Sequence, residues 1–330
     1  MKNTYYLLKN GELRRKDNNL IVKACDGSEK VIPIETVKEI YIMGEVNVNS
    51  KLMTFLSQNS IILHFFNYYG FYSGSYYPKE KLVSGSLLVK QVEHYRSKEK
   101  RVELAREVLK SASYNIKRNL RYYNERGRDL EDEIKTIKNL RKHLDRQNEI
   151  NELMGVEGNI REGYYRAWNK IVNQDINFEK RVKHPPDNMI NSLLSYVNSL
   201  VYTTVLSEIY HTQLNPTISF LHEPSTKRFS LSLDIAEIFK PILGERMIFS
   251  LLNKNMINED SFEKEMNSLY LKDSARKVIL QKYDSRLKQR IRHKVLKKNV
   301  SYRYLIRLEC YKIIKHILGE KNYEGFKIWW

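Results

Sequence analysis

Three short segments of this 330-residue chain combine acid, histidine and small residues in ways a hydrophobic core does not require. The first is Met154-Gly155-Val156-Glu157-Gly158, running on through Gly163 to Tyr164, Tyr165, Arg166 and Trp168. Glycines on both sides of Glu157 interrupt a helical pattern and let backbone or ligand approach closely. The second is Phe220-Leu221-His222-Glu223-Pro224, set after Asn215-Pro216. The third runs from Ser230 to Pro241. If it is helical, Asp234 and Glu237 share one face beside Leu231, Leu233, Ile235 and Ile238. Two carboxylates pressed against an apolar surface repel each other and lose hydration unless a cation sits between them. Each segment also has a plainer reading: a helix-terminating loop with a solvated glutamate, a structural histidine, and an amphipathic helix with its acids in water. The alternation of Phe229, Leu231 and Leu233 equally allows the start of a strand.

Carboxylate oxygens plus one imidazole suit Mg²⁺ or Mn²⁺ better than Zn²⁺ or copper. In a basic protein such an ion binds a scissile phosphate, stabilises charge on it and orients an attacking oxygen. That is a site for cutting or joining phosphodiesters. Other chemistries fall away. Gly158 and Gly163 have P-loop spacing, but Tyr164 stands where lysine belongs, and no dinucleotide-type glycine triplet occurs. His222-Glu223 runs into Pro224, so the second histidine of a zinc-protease helix is missing. Only Cys25 and Cys310 are present, far apart in sequence, which leaves no disulfide framework and no cysteine zinc site.

The elements that must position these residues change character along the chain. Up to about residue 80, short β-rich runs alternate with turn chemistry: Leu20-Ile21-Val22 lies between Asp17-Asn18-Asn19 and Asp26-Gly27-Ser28. Val31 to Ile34, Glu39 to Met43 and Ile61 to Phe66 follow, with a helix over Ser50 to Gln58. Beyond residue 82 the period becomes helical, with Gly127 between two long runs and helical patterns dominating from Ser261 to Ile317. The spacing predicts an α+β protein: a small β-rich N-terminal domain over 1–80, a linker over 81–90, and a larger all-α catalytic domain over 91–330. The strand edges and many tyrosines of the first domain mark it as a dimerisation module.

Lysine and arginine number 57 against 39 for aspartate and glutamate, a net charge of +18 that points to a polyanionic partner. An acidic membrane surface and a merely Lys-rich composition compete with nucleic acid on charge alone. The N-terminus lacks the apolar core of a secretion signal, and no stretch approaches the ~18 apolar residues of a spanning helix, so a cytoplasmic location is expected.

Several of these segments are familiar together. Pro185-Pro186-Asp187-Asn188-Met189-Ile190-Asn191, then Phe220-Leu221-His222-Glu223, then Arg228-Phe229-Ser230 through Phe239-Lys240-Pro241 closely resemble the CRISPR-associated spacer-acquisition integrase family. The Glu157 segment with its downstream Tyr165 to Trp168 is similar to that family's first motif, and the β-then-α layout extends the likeness to the whole chain. The resemblance implies metal ligands at Glu157, His222 and Glu237, with Asp234 a further acid of the site that is either a direct or a supporting ligand. It implies Mg²⁺ or Mn²⁺ as cofactor and double-stranded DNA as substrate. A free 3′-hydroxyl of a short foreign fragment would attack the repeat backbone of a CRISPR array without a covalent enzyme intermediate. It also implies a homodimer, two of which bracket a small ferredoxin-like partner. Three departures affect supporting contacts and leave the metal site intact: Gln213-Leu214-Asn215-Pro216 for Gly-Leu-Asp-Pro, Lys240 for Arg, and Gly244-Glu245-Arg246 for Val-Asp-Arg.

The densest basic run is Arg286 to Lys294, with Arg290 and Arg292 inside it. It reads either as a solvated helix face, with Leu287, Ile291 and Val295 as its apolar stripe, or as a surface that tracks phosphates. Arg181 and Lys183 lie nearer the motifs, and Arg166, Lys170, Arg228 and Lys240 lie within or beside them, so all six join Arg286, Arg290, Arg292 and Lys294 as candidate DNA contacts. Tyr164 and Tyr165 raise the alternative of a tyrosine nucleophile, although in a chain with 23 tyrosines core packing or base stacking accounts for them better. A non-catalytic DNA-binding protein and a nuclease acting on RNA or branched DNA remain competing functions.

Overall fold

A computed structural model of the chain describes residues 2–79, 82–182, 186–224, 226, 229–265 and 268–329. The chain divides into two compact units, one comprising Met1–Val83 and Leu271–Asp284, the other Ser84–Tyr270 and Ser285–Trp330.

The smaller unit contains eight described strands: β1 (Asn3–Leu7), β2 (Gly11–Lys16), β3 (Asn19–Ala24), β4 (Glu29–Pro33), β5 (Val37–Ile42), β6 (Val46–Asn47), β7 (Ile62–Phe66) and β8 (Tyr72–Tyr76). They form two four-stranded sheets, in the orders β1-β5-β7-β8 and β4-β3-β2-β6. Asp17-Asn18 turns β2 onto β3 in antiparallel register, Lys16 opposite Asn19, with Asp17 in the left-handed region that Asp tolerates. In the other sheet β1, β5 and β7 run parallel, and β5 is buried along almost its whole length, as strands covered on both faces must be. Helix α1 (Ser50–Gln58) starts where the Asn49 side chain accepts the Leu52 N–H. Its Leu52, Phe55 and Leu56 enter a core with Leu13, Leu20, Ile40 and Leu63. The expected strands and helix of this region are all present.

The larger unit is helical: α2 (Gly85–Arg96), α3 (Lys98–Asn124), α4 (Glu131–His143), α5 (Ile150–Ile171), α6 (Met189–Tyr210), α7 (Ser230–Phe239), α8 (Arg246–Asn253), the end of α9 (Asp273–Lys288), and α10 (Tyr302–Ile317). Ser84, Ser97, Asn188 and Ser301 cap α2, α3, α6 and α10 through their side chains. α3 packs against α2, α4, α5 and α7. α6 is apolar on nearly every side, so it is buried, packing on α7 and α10. No helix among the described residues is long and apolar enough to cross a membrane.

Four expectations need correction. Of the expected linker 81–90, residues from Gly85 onward belong to α2, capped by Ser84, while the junction of the two units falls after Val83. The glycines around Glu157 do not interrupt the helix: α5 runs unbroken through Gly155, Gly158 and Gly163. Each glycine costs about 1 kcal/mol of helix propensity relative to alanine, which burial of Leu153, Val156, Ile160 and Trp168 outweighs. The larger unit is not purely α, since β9 (Phe262–Glu265) pairs with β10 (Ser268–Leu271) and β11 (Arg290–Arg292) with β12 (Asn299–Ser301). The basic run is therefore not one helix. α9 stops at Lys288, and the His293 ring accepts the N–H groups of Val295 and Leu296 to close a hairpin turn, leaving Val295 79% exposed instead of striped against a core.

Candidate active site

Glu157 lies on α5, and one helical turn later the same face presents Arg161. The Arg161 guanidinium is nearly buried and meets three carboxylates: Nε donates to Glu157 Oε1 at 3.2 Å, Nη1 to Glu245 Oε1 at 2.6 Å, and Nη2 to Glu237 Oε2. The other oxygen of Glu237 accepts from Lys240 Nζ. Glu237 and Glu245 reach one guanidinium from either side of a π-helical turn, Lys240–Glu245, that continues α7. Such widened turns are rare and concentrate at functional sites. Here Pro241 removes one backbone donor, and two asparagines of α3 donate to carbonyls along the turn: Asn115 to Ile238 O at 3.1 Å and Asn119 to Pro241 O at 2.8 Å. Gly244 lets α6 come close; a Cβ there would lie 2.9 Å from Val197 Cγ1.

His222 sits on the loop before α7, and Asp234 holds that loop in place. Asp234 is 1% exposed; its Oδ2 accepts the N–H groups of Phe220 and Leu221 at 2.7 and 2.9 Å, and its Oδ1 accepts the His222 N–H at 3.0 Å and Nδ1 at 2.8 Å. This places the Nδ1 proton toward the carboxylate and leaves Nε2 with no hydrogen-bond partner among the described residues. Gln91 of α2 clasps the loop at Asn215 and Ile218, Arg101 of α3 holds Phe220 O and Glu223, and the Asn215 side chain closes its own turn onto Thr217. Asp234 and Glu237 therefore each have partners of their own and do not require the cation between them that their common helix face suggested. The charge of Asp234 is met by N–H donors and imidazole, and that of Glu237 by Arg161 and Lys240.

Burial raises the Glu157 carboxyl above the usual glutamate range, and the negative charge of Glu237 adds to this. Burial acts the same way on Glu237, but Lys240, Arg161 and His222 outweigh it and hold that carboxyl far below the usual range. Burial would lower His222; the hydrogen bond and charge of Asp234 reverse this and raise it. One carboxyl is thus pushed below the usual glutamate range beside another pushed above it, an arrangement characteristic of sites that bind ions or move protons.

Among the described residues no three His, Cys, Asp or Glu side chains already converge as a ligand set. The donors nevertheless fit a divalent ion. Glu157 and Glu237 line a cavity of about 10 Å³ together with Ser113, Ile116, Ile160 and Arg161, close to the smallest space that admits one water-sized occupant. Two carboxylates and an imidazole nitrogen are ligands that Mg²⁺ and Mn²⁺ accept, and Lys240 already places a positive charge on Glu237.

The family model described as CRISPR associated protein Cas1 matches residues 5–285. The chain belongs to the Cas1 family. It is 59% identical to the CRISPR-associated endonuclease Cas1 of Fusobacterium nucleatum, over all of this chain and 98% of that one. It is 47% identical to the same-named protein of Clostridium perfringens, over the whole of both. A solved Cas1 protein from Thermotoga maritima superposes with a TM-score of 0.87 at 39% identity, covering 99% and 100% of the two chains. A casposase bound to integration product shares the fold at 21% identity, with a TM-score of 0.86 over all of this chain and 96% of that one. The family recognised in the sequence motifs is thus the right one, and so is the β-then-α fold.

In this Cas1 family member the remaining expected residues lie in varied settings. Arg166 is exposed and 3.5 Å from Glu162, and Lys170 pairs with Glu133 at 2.7 Å. The Arg181 guanidinium is committed to Val182 O, Asn191 and Ser195 at the start of α6, which makes it a brace for that helix. Arg286 lies over Tyr302 and donates to Gln289, while Arg290, Arg292 and Lys294 project from the β11–β12 hairpin. Lys183 and Arg228 fall outside the described residues. Tyr164 is fully buried and bonded to Asn119, and burial pushes Tyr165 up to about 12, so neither hydroxyl is poised as a nucleophile. Trp329 packs edge-on against Phe326, itself stacked on Phe239 of α7. Sequence reasoning missed Arg161 and the part played by Glu245. The i, i+4 spacing from Glu157 to Arg161 was a usable signal for the first; the meeting of Glu245 with the same guanidinium depends on the π turn, which has no such signature.

Proposed function

We propose that this chain is a divalent-metal-dependent DNA endonuclease and integrase, which inserts short foreign fragments into a CRISPR array by transesterification. The observation that carries the reading is the cavity lined by Glu157, Glu237 and Arg161, with Lys240 paired to Glu237 and an oriented histidine on the loop before α7. Glu157, His222 and Glu237 would hold Mg²⁺ or Mn²⁺, which supplies Lewis-acid stabilisation of charge on a phosphate and orientation of an attacking oxygen. Asp234 is a positioning residue in this scheme, because it fixes the imidazole and the loop and has no oxygen left for an ion. Arg161 keeps Glu237 ionised, and Lys240, on the rim of the site, offers its ammonium to a phosphate oxygen. The new bond joins a 3′-oxygen to the repeat phosphorus as the original strand oxygen leaves with a proton. The relatives' names support DNA as substrate and assembly with other proteins: the matched solved structures include a Cas6-RT-Cas1--Cas2 complex. A homodimer with a small ferredoxin-like partner is the assembly we propose here.

The test is transfer of a labelled duplex with free 3′-hydroxyl ends into a supercoiled repeat-bearing plasmid, with Mn²⁺, with Mg²⁺ and with EDTA, and with and without the small partner. Label transfer that requires metal and disappears in His222→Ala is the expected result. Binding of DNA without cutting or joining under every condition would overturn it and favour a binding protein.

A further inference from the structure

Beyond α10 the chain runs from Gly319 to Trp329 with no helix or strand, yet Tyr323, Phe326 and Ile328 are buried. Ordering an irregular segment costs conformational entropy, and its backbone groups must find partners away from water. Two polar side chains that are themselves fully buried supply them. Glu309 of α10 accepts the Tyr323 hydroxyl at 2.6 Å and the Phe326 N–H at 2.9 Å through one oxygen. Asn115 of α3 accepts the Ile328 N–H at 2.9 Å and donates to Phe326 O at 3.0 Å. Gly325 passes so close to α3 that a Cβ there would overlap Ser111 Oγ and lie 2.8 Å from Ser111 Cβ.

This fastening reaches the candidate active site. The remaining Asn115 hydrogen bond goes to Ile238 O at 3.1 Å, and the Phe326 ring stacks on Phe239, with centroids 5.7 Å apart and planes 13° apart. Ile238 and Phe239 are the two residues between Glu237 and Lys240. They lead into the π turn, where Pro241 has no N–H to donate and carbonyl groups are left for side-chain donors. Acceptance of the Ile328 N–H fixes which end of the Asn115 amide is oxygen, and so points its NH₂ group at both carbonyls.

We propose that Asn115 and Phe326 are positioning residues for strand joining: residues 323–328 form a strap that holds the end of α7, and with it Glu237 and Lys240, at the spacing the metal site requires. The assignment rests on the metal-dependent reading above and adds to it a support outside the site. Groups that hold an ion or a phosphate need placing to within about 0.5 Å. Lys240 rides on the same turn as Glu237, so their pairing cannot anchor that turn to the rest of the unit. Asn115 anchors it from α3, and Phe326 from the strap.

The experiment compares Asn115→Ala with Gly325→Ala, which lifts the strap while leaving Asn115, Phe326 and α7 in place. Mn²⁺ binding is read from loss of the free-ion EPR signal, and the Mn²⁺ midpoint and plateau rate from strand joining, all well below the melting temperature. Each variant should bind Mn²⁺ about 10–100-fold more weakly, as loss of an outer-shell partner does, and should raise the joining midpoint by the same factor. A smaller folded fraction alone would lower the plateau and leave the midpoint unchanged. Ser111→Gly removes the group that a Cβ at position 325 would strike, so Gly325→Ala/Ser111→Gly should recover most of the wild-type Mn²⁺ affinity. Wild-type affinity and midpoint in both single variants, or in Gly325→Ala alone if Asn115→Ala does not fold, would overturn the strap. A Gly325→Ala loss that Ser111→Gly leaves unrepaired would overturn it too. Wild-type protein that joins no strands with any metal would instead overturn the underlying function.

Discussion

Removing the Asp234 carboxylate should injure the fold and the metal chemistry together, in proportions that the geometry sets. The side chain accepts four hydrogen bonds, three of them from the backbone N–H groups of Phe220, Leu221 and His222. Each buried donor left unsatisfied costs about 1–3 kcal/mol. Asp234→Ala should therefore lose roughly 3–5 kcal/mol, allowing for water reaching the partly exposed His222 end. Asp234→Asn keeps one acceptor oxygen but turns an amide donor toward two of the four donors, so about half that loss is expected. Freeing the imidazole should lower metal affinity by roughly 10–100-fold, as loss of an outer-shell partner does. His222→Ala removes only the side-chain bond and should stay within about 1 kcal/mol of wild type. Urea unfolding in EDTA measures the first effect, and the Mn²⁺ midpoint of strand joining the second. An Asp234→Asn protein that unfolds with wild type and shows the same Mn²⁺ midpoint would refute the reasoning.

Arg161→Met should be among the most destabilising single substitutions in the larger unit, by roughly 3–5 kcal/mol, because it leaves Glu157 and Glu245 without their cation and Glu237 with Lys240 alone; thermal melting should show the loss, and added Mn²⁺ should recover part of it. Gly244→Ala should cost about 1–3 kcal/mol through the clash with Val197, and Val197→Ala should relieve it in the double variant. Tyr165→Phe should leave strand joining at wild-type rate, and no covalent protein–DNA species should appear on denaturing gels.

The smaller unit was legible because its strands obey local rules: β-rich runs bounded by Asp, Asn and Gly turns, and one helix with Leu52, Phe55 and Leu56 on a single face. The three ligand candidates were legible as segments, since acids and histidine amid apolar neighbours stand out. Their division of labour was not. Asp234 and Glu237 share a helix face in sequence, and only the return of the 220–222 backbone shows that one of them serves the loop. The glycines near Glu157 misled because tertiary burial outweighs helix propensity on α5. Val295 misled for the opposite reason: its spacing from Leu287 and Ile291 suits a helix, but the His293 side chain caps a hairpin turn there. The departures at Lys240 and Glu245 touch the site directly, through Glu237 and Arg161, so they belong to its electrostatics as well as to its supports.

The assignment of Leu271–Asp284 to the β-rich unit means that the polypeptide passes between the two units three times, after residues 83, 270 and 284. A nick after residue 83 would cut 1–83 from the rest of the chain yet leave the other piece of its unit, 271–284, joined on both sides to the helical unit. An N-terminal fragment ending at Val83 would lack the segment 271–284 that completes its own unit and in which Ile279, Leu280 and Tyr283 are buried. The unit is therefore a poor candidate for separate expression, and splitting the chain calls for a graft of residues 271–284 rather than a simple cut.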